Sequence, residues 1–365
     1  MKIGILTYHA CFNYGACLQA YALQQTIKKK YAGCKIIDYQ SKKLIDINHP
    51  FCKVPKHPKE LIKNLTRLPY YSQLMKRKTL FEDFINHTLD VSQRCSTDEE
   101  VRNECEKYDC IVCGSDQTWN LDPSIRYETP LYYLNFPKKQ RRITYATSFG
   151  SWVKDFYTRE KEIMPWIKEF DKLSMREESG VELLRSKGLE CEWVLDPTLL
   201  LRSEDYDKIA VSRIISEPYV LLFSWNGAHE AVAIAKAAAA KLGCKAYYIV
   251  PPPRAMFCGI KRKLDVGPKE FLSLVKHASF IVTNSFHGTV FSTIYRKPFI
   301  SAIYGNVDAR RASLMKQFGL EDHLMSPGNI DFEKIFNTDF GKVEERLKPL
   351  REYSLSYLYN ALKND

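Results

Sequence analysis

The side chain with the clearest chemical potential is His287, in the stretch ASFIVTNSFHGTVFS (278–292). Phe280–Thr283 is a β-branched and aromatic run that predicts a buried strand, and Thr289–Tyr295 predicts the following helix. His287 is therefore expected in the turn between them. Imidazole titrates near neutral pH, so this position suits proton transfer or anion binding. A histidine packed in the core is the alternative.

Three other turns have the same form, in which a predicted strand is followed by small polar residues and glycine. They are Phe12–Ala16, Gly114–Gln117 and Thr147–Gly150. Unpaired polar groups are costly to bury, so several such turns indicate a binding edge. Helix N-capping is the alternative for Asn13 and Ser285, and a cap or a structural salt bridge is the alternative for Asp116.

Arg176 stands just before a helix predicted at 179–187. A guanidinium at a helix start is a good anchor for a phosphate or a carboxylate. The adjacent Glu177 and Glu178 leave a local ion pair as the alternative.

Alternating strands and helices predict an α/β fold with parallel sheets, in which ligands bind at the carboxyl ends of the strands. The opening strand Ile3–Tyr8, the helix after it and the strand Lys35–Tyr39 form a first βαβ unit. The predicted divisions of the chain are an N-terminal domain at 1–201, a linker at 202–217, a C-terminal domain at 218–340 and a last helix within 341–365 that crosses back to the first domain.

Residues 41–103 are predicted to form a helical insertion in the first domain, rich in lysine and arginine. Its helices are expected at Glu60–Leu68 and Ser72–Leu89. One interpretation is that the basic side approaches a membrane or an acceptor, and the other is an amphipathic helix packed on the sheet.

The 365 residues carry a net charge of +11, which implies acidic partners. The basic residues are dispersed and no nucleic-acid-binding motif is present, so no nucleic-acid partner is expected. No apolar run is long enough to span a bilayer, and Met1 leads directly into a strand, so a cytoplasmic protein is expected. The eleven cysteines have irregular spacing, and Cys110 and Cys113 are expected to be structural residues of a strand. No metal site is predicted.

Five motifs resemble those of the polysaccharide pyruvyl transferase family. In chain order they are ILTYHACFNYGACLQAYALQ, DCIVCGSDQTWN, ITYATSFG, SMREESG followed by VLDPTLLL, and IVTNSFHGTVFSTIYRKPFIS. The resemblance spans about residues 3–305.

This resemblance implies a fold of two Rossmann-like domains facing a cleft, similar to the GT-B glycosyltransferases. It also implies transfer of a carboxyethylidene (pyruvate ketal) group from phosphoenolpyruvate to hydroxyls of a glycan or lipid-linked saccharide, without a cofactor. His287, Asp116 and Arg176 would be the catalytic residues. The substrate-binding residues would be Asn13, Tyr14, Gly15, Ser115, Gln117, Asn284, Ser285 and Gly288.

The chain departs from the family at Ser285, where some members carry an arginine two residues before the histidine. Other cations must then hold the donor phosphate, and Arg176 with Arg310 or Arg311 are the candidates. Two alternatives stay open: a nucleotide-sugar glycosyltransferase of the same architecture, and a basic module that binds nucleic acid or acidic glycans. For a lipid-linked acceptor, peripheral contact with the inner face of the membrane is expected.

Overall fold

The structure is a computed structural model that describes residues 1–120, 130–150, 156–225, 228–305, 309–328 and 330–363. Its strands are β1 Ile3–Leu6, β2 Cys34–Ile36, β3 Cys110–Cys113, β4 Arg141–Thr144, β5 Ser174–Met175, β6 Glu192–Trp193, β7 Tyr219–Phe223, β8 Lys245–Tyr248, β9 Lys261–Arg262, β10 Phe280–Thr283, β11 Phe299–Ala302 and β12 Leu324–Met325. Its α-helices are α1 Tyr14–Lys28, α2 Lys42–Asn48, α3 Pro58–Arg67, α4 Tyr71–His87, α5 Asp98–Cys105, α6 Phe156–Ile167, α7 Glu178–Ser186, α8 Ser203–Asp207, α9 Ala228–Lys241, α10 Pro268–His277, α11 Phe286–Ile294, α12 Ala309–Phe318, α13 Phe332–Phe336 and α14 Phe340–Leu362.

The chain folds into two compact units. The first comprises Met1–Asn48, Asp83–Leu201 and Lys348–Asp365, and the second comprises His49–Glu82 and Arg202–Leu347. Helix α14 thus begins in the second unit and ends in the first, where Ser354 Oγ accepts a hydrogen bond from Leu195 N (2.9 Å).

The first unit is built on a parallel sheet of order β2-β1-β3-β4. Strands β1 and β3 are buried along their whole length, which is why they are apolar on both faces. An isolated bridge between Thr147 and Met175 places β5 beside the segment that follows β4. The carboxyl ends of β1, β3, β4 and β5 therefore meet at one edge of this unit.

The second unit contains a parallel sheet of order β12-β11-β10-β7-β8-β9. Its central strands β7 and β10 pair in register from Val220 with Phe280 to Phe223 with Thr283. Their carboxyl ends consequently lie side by side. The predicted fold class, α/β with two Rossmann-like domains, is confirmed.

Two predicted divisions differ from the structure. The helices in His49–Glu82 group with the second unit, although the sequence placed them as an insertion in the first domain. One contact that ties them to it is the hydrogen bond from Leu264 N to the side-chain Oε1 of Gln73 (2.9 Å). The predicted linker at 202–217 also belongs to the second unit and contains α8, whose Tyr206 packs edge-on against Phe291 with ring centroids 5.0 Å apart.

Within the described ranges, none of the helices combines the length and apolar character needed to cross a bilayer.

Candidate active site

Arg176 in the first unit lies at the centre of a buried cluster of carboxylates. Its Nη1 is 2.9 Å from Asp196 Oδ2, its Nη2 is 3.3 Å from Asp116 Oδ1, and its Nε is 4.0 Å from Glu177 Oε2. The Arg176 side chain is 1% exposed. Asp116 and Arg176, which the sequence indicated as separate candidates, are therefore in contact at this edge.

The cluster holds more negative than positive charge. Burial alone would lower the pKa of Arg176, but the three carboxylates outweigh burial and raise that pKa above its ordinary value. The guanidinium stays charged, but the surrounding carboxylates offset its attraction for a phosphate. The geometry therefore favours an ion-pair role for Arg176 over the predicted anchor for phosphoenolpyruvate.

Asp196 organises this cluster, and sequence reasoning gave it no role. Its Oδ2 accepts a hydrogen bond from Ser115 Oγ (3.0 Å), and its Oδ1 accepts bonds from the backbone N (3.0 Å) and the Oγ1 (2.6 Å) of Thr198. The predicted site residue Ser115 is therefore fully buried and bound to a carboxylate. The available signal was the motif VLDPTLLL, in which Asp196 precedes a proline.

Asp116 is the member of the cluster that reaches solvent, since its side chain is 14% exposed. It has a φ of +81°, and Ala146, at the end of the next strand, has a φ of +55°. Left-handed backbone at non-glycine residues is strained, and such strain concentrates at functional sites. Gln117 donates its backbone N–H to Asp116 Oδ1 (2.9 Å), so the carboxylate is fixed by its own turn.

The predicted residues at the start of α1 serve mainly to begin that helix. Asn13 is the N-cap, and its Oδ1 accepts hydrogen bonds from the backbone N of Gly15 (2.9 Å) and of Ala16 (3.4 Å). Tyr14 is fully buried, so its ring lies in the core. Asn13 therefore caps the helix, which was the alternative to a binding role. Because Asn13 is exposed, a contact with substrate stays a prediction.

In the second unit, α11 begins at Phe286, three residues before the predicted start. Ser285 is its N-cap and accepts a hydrogen bond from Gly288 N (3.4 Å). A Cβ at Gly288 would lie 2.1 Å from Thr283 Oγ1, so glycine is required where α11 packs against the end of β10. The predicted turn was wrong, and His287 lies in the first turn of the helix.

His287 is 7% exposed, and its ring is edge-on to Phe286 at 5.2 Å between centroids. Next to it in sequence, Asn284 Oδ1 accepts a hydrogen bond from Trp225 N (2.9 Å), which ties the end of β10 to the end of β7. Arg254 lies over the Trp225 ring, 5.0 Å from its centroid. The second edge thus brings the predicted residues together with two that the sequence did not indicate.

Arg311, a predicted phosphate ligand, is held at the end of the neighbouring strand β11. Its Nη1 donates to Ser301 Oγ (2.9 Å) and to the carbonyl of Ala302 (3.0 Å). Ser301 Oγ in turn lies 3.3 Å from Thr289 Oγ1 of α11. Arg311 therefore places a positive charge beside the helix that carries His287.

Cys110 and Cys113 are buried residues of β3, and burial raises the pKa of each thiol to about 12. Thiols in this state are poor metal ligands and poor nucleophiles. Among the residues that the structure describes, no group of three or more His, Cys, Asp or Glu side chains could hold a metal ion.

A cavity of about 500 Å³ in the first unit lies apart from these residues. It is lined by α14 side chains, including Tyr353 and Tyr357, and by the segments around β5 and β6. None of the predicted site residues lines it.

The fold is similar to solved structures of sugar-nucleotide enzymes. The UDP-GlcNAc 2-epimerase from Methanocaldococcus jannaschii is 14% identical, with a TM-score of 0.53 over 97% of this chain and 100% of that one. A protein from Listeria monocytogenes provisionally named UDP-N-acetylglucosamine 2-epimerase is 9% identical, with a TM-score of 0.52 over 99% of this chain and 95% of that one. At these identities the likeness concerns the fold, which is GT-B-like as predicted.

Among curated proteins, no relative matches the sequence significantly. The family profile described as "Polysaccharide pyruvyl transferase" matches residues 13–306. That range includes both strand edges, from Asn13 and Asp116 to Arg176 and His287. The chain belongs to the polysaccharide pyruvyl transferase family.

Proposed function

We propose that the protein transfers a carboxyethylidene group from phosphoenolpyruvate to two hydroxyls of one sugar unit in a cell-surface polysaccharide precursor. The observation that carries this proposal is the family match over residues 13–306. The polar ends of the parallel strands support it, because α/β proteins bind small substrates there.

The reaction is balanced without a redox partner. The enol carbon C3 of phosphoenolpyruvate gains a proton, and a sugar hydroxyl oxygen forms a bond to C2 as that hydroxyl loses its proton. The bond from C2 to the phosphate oxygen then breaks. A second hydroxyl attacks C2 and loses its proton, so that the products are a cyclic ketal and inorganic phosphate. The steps need a proton donor, a proton acceptor and groups that stabilise the leaving phosphate.

His287 is the proposed acid/base residue. It lies in the first turn of a nine-residue helix at the carboxyl end of a central strand. Histidine exchanges protons readily near neutral pH, as protonation of an enol requires. The same helix start offers backbone N–H groups and a positive dipole end to the phosphate.

Arg311 is the proposed cation behind that helix, in place of the arginine that Ser285 replaces. Its hydrogen bond to Ser301 Oγ fixes it at the end of β11, adjacent to β10. A buried, bonded guanidinium loses little conformational freedom when an anion binds.

In the first unit, Asp116 is the proposed partner of an acceptor hydroxyl, since it is the carboxylate of the cluster with solvent access. Arg176 is then a positioning residue that holds Asp116 and Asp196 in place. The predicted contacts of Asn13, Gly15 and Gln117 with substrate stay part of this proposal.

The test is phosphate release by the purified protein with phosphoenolpyruvate and a pool of lipid-linked saccharides. We expect release only when both are present, and a rise in melting temperature with phosphoenolpyruvate alone. 2-Phosphoglycerate is the matched control, because it carries the same two anions without the enol. A melting temperature raised by UDP-sugars and unchanged by phosphoenolpyruvate would instead indicate a nucleotide-sugar glycosyltransferase.

A further inference from the structure

Helix α3 of the second unit turns its apolar side toward solvent. Leu61 and Leu65 of α3 and Leu68 at its C-cap follow one another at the spacing of a single helical stripe, and Ile62 widens it. Their exposed fractions are 51%, 56%, 55% and 52%, and none of the ten residues of α3 is buried. An amphipathic helix of a globular protein normally packs this side inward.

The polar side of α3 is the side that holds it to the protein. The Asn64 side chain exchanges two hydrogen bonds of 2.8 Å with the backbone of Cys52, and Arg67 Nε donates to the carbonyl of Pro252 (2.9 Å). Asn64 is three residues from Leu61 and four from Leu68, so it flanks the apolar stripe, and Arg67 lies further round the helix. Their bonds hold α3 within the second unit while the leucines stay about half exposed.

Positive charge lies at the N-terminal end of this stripe. Lys53, Lys56 and Lys59 are exposed at the start of α3, and the side chain of Val54 beside them is 70% exposed. Glu60 is the only acidic residue in the sequence from His49 to Leu68. Its carboxylate accepts hydrogen bonds from backbone N–H groups at the helix start, so it is occupied in capping.

We infer that this surface, the α3 face, docks on an anionic lipid bilayer. The α3 face consists of Lys53, Val54, Lys56, Lys59, Leu61, Ile62, Leu65 and Leu68. The helix would lie in the plane of the interface, with the leucines at the boundary of headgroups and acyl chains and the lysines among anionic headgroups.

The charges favour a bilayer over a second copy of the chain. A two-fold interface through the α3 face would bring lysines against lysines, which is unfavourable. Anionic headgroups complement both parts of the surface. The inference does not depend on the donor substrate, and it suits an acceptor that is lipid-linked.

The experiment is co-sedimentation of the full chain with vesicles of phosphatidylcholine, with or without phosphatidylglycerol. We expect binding to the anionic vesicles that weakens as salt is raised. The triple variant L61Q/L65Q/L68Q should lower the partition coefficient more than tenfold, without changing the melting temperature, because the leucines are exposed. Replacing Lys53, Lys56 and Lys59 by Ser should cost about fivefold per lysine on anionic vesicles only.

The control is the double variant I214Q/Y157Q, which removes exposed apolar side chains elsewhere and should bind like the parent protein. The inference is overturned if the parent ignores anionic vesicles, or if the leucine variant binds as well as the parent. It is also overturned if the parent dimerises without lipid and the leucine substitutions abolish the dimer. Phosphate release with a soluble acceptor is measured on the same variants, so failure here is separable from failure of the proposed reaction.

Discussion

The two strand edges have the same sequence pattern but opposite electrostatics. At the edge of the first unit, Asp116 and Asp196 surround a buried Arg176, so the polar residues satisfy one another. At the edge of the second unit, the stretch from Asn284 to Gly288 contains no Asp, Glu, Lys or Arg, and it leads into a helix N-terminus beside His287. The same turn pattern therefore forms a buried, ion-paired cluster in the first unit and a site suited to binding an anion in the second.

The largest effect is expected for His287→Ala. If the second edge performs proton transfer, turnover should fall by about 10²–10⁴-fold with little change in melting temperature. His277→Ala is the matched control, since His277 lies before β10 and His287 follows it. Steady-state phosphate release measures both variants. Equal turnover in the two variants would remove His287 from the chemistry.

Arg176→Met should act mainly on stability. Its removal leaves buried carboxylates without their cation, which costs about 3–5 kcal/mol. Denaturant unfolding measures this loss, and the exposed Arg185→Met is the control with little expected effect. A stable Arg176→Met protein with a greatly raised KM for phosphoenolpyruvate would reverse the comparison and restore Arg176 as donor anchor.

Acid should weaken the second unit through its buried His323. Burial lowers the pKa of His323 to about 4, below the ordinary value of histidine, so the unfolded chain takes up the proton first. This contribution to stability is complete above about pH 6.5 and is lost as pH falls toward 4, by about 2 kcal/mol between pH 7 and pH 5. Thermal melts of the parent and of His323→Gln measure it, and the variant should lack this part of the pH dependence.

The smallest effect is expected for the two helix caps. Asn13→Ala and Ser285→Ala should each cost about 1 kcal/mol, because each removes an acceptor for backbone N–H groups at a helix start. Ser285→Ala should also reduce turnover, and more than Asn13→Ala does, since it loosens the helix that carries His287. A matched loss of turnover in both variants would mean that the first edge takes part in chemistry to the same degree.

The strands and helices could be predicted because their signal is local. Phe280–Thr283 is a strand with the bounds that its apolar run indicated, and most helices differ by only a few residues at their ends. The start of α11 was missed because Gly288 resembles a helix breaker in sequence. Glycine stands at position 288 because α11 packs closely against Thr283 there, and the local sequence does not reveal that contact.

The charge cluster could be predicted only in part. The sequence indicated Asp116 and Arg176 as separate candidates, and the only ion-pair partners it offered Arg176 were the adjacent Glu177 and Glu178. The partners Asp116 and Asp196 lie 60 and 20 residues away in the chain, so their contacts depend on how the strands are ordered. Helix α3 shows the same limit of sequence-based prediction. Its periodicity predicts an apolar side, but it does not show whether that side is buried or exposed.

The most direct test of the proposed reaction is the mass of the acceptor saccharide after incubation with phosphoenolpyruvate in D₂O. Protonation of the enol at C3 predicts that the acceptor gains a carboxyethylidene group whose methyl carries one deuterium, together with an equal amount of inorganic phosphate. An acceptor that gains a phosphoryl group, a sugar residue from a nucleotide donor, or an undeuterated pyruvyl group would contradict the account.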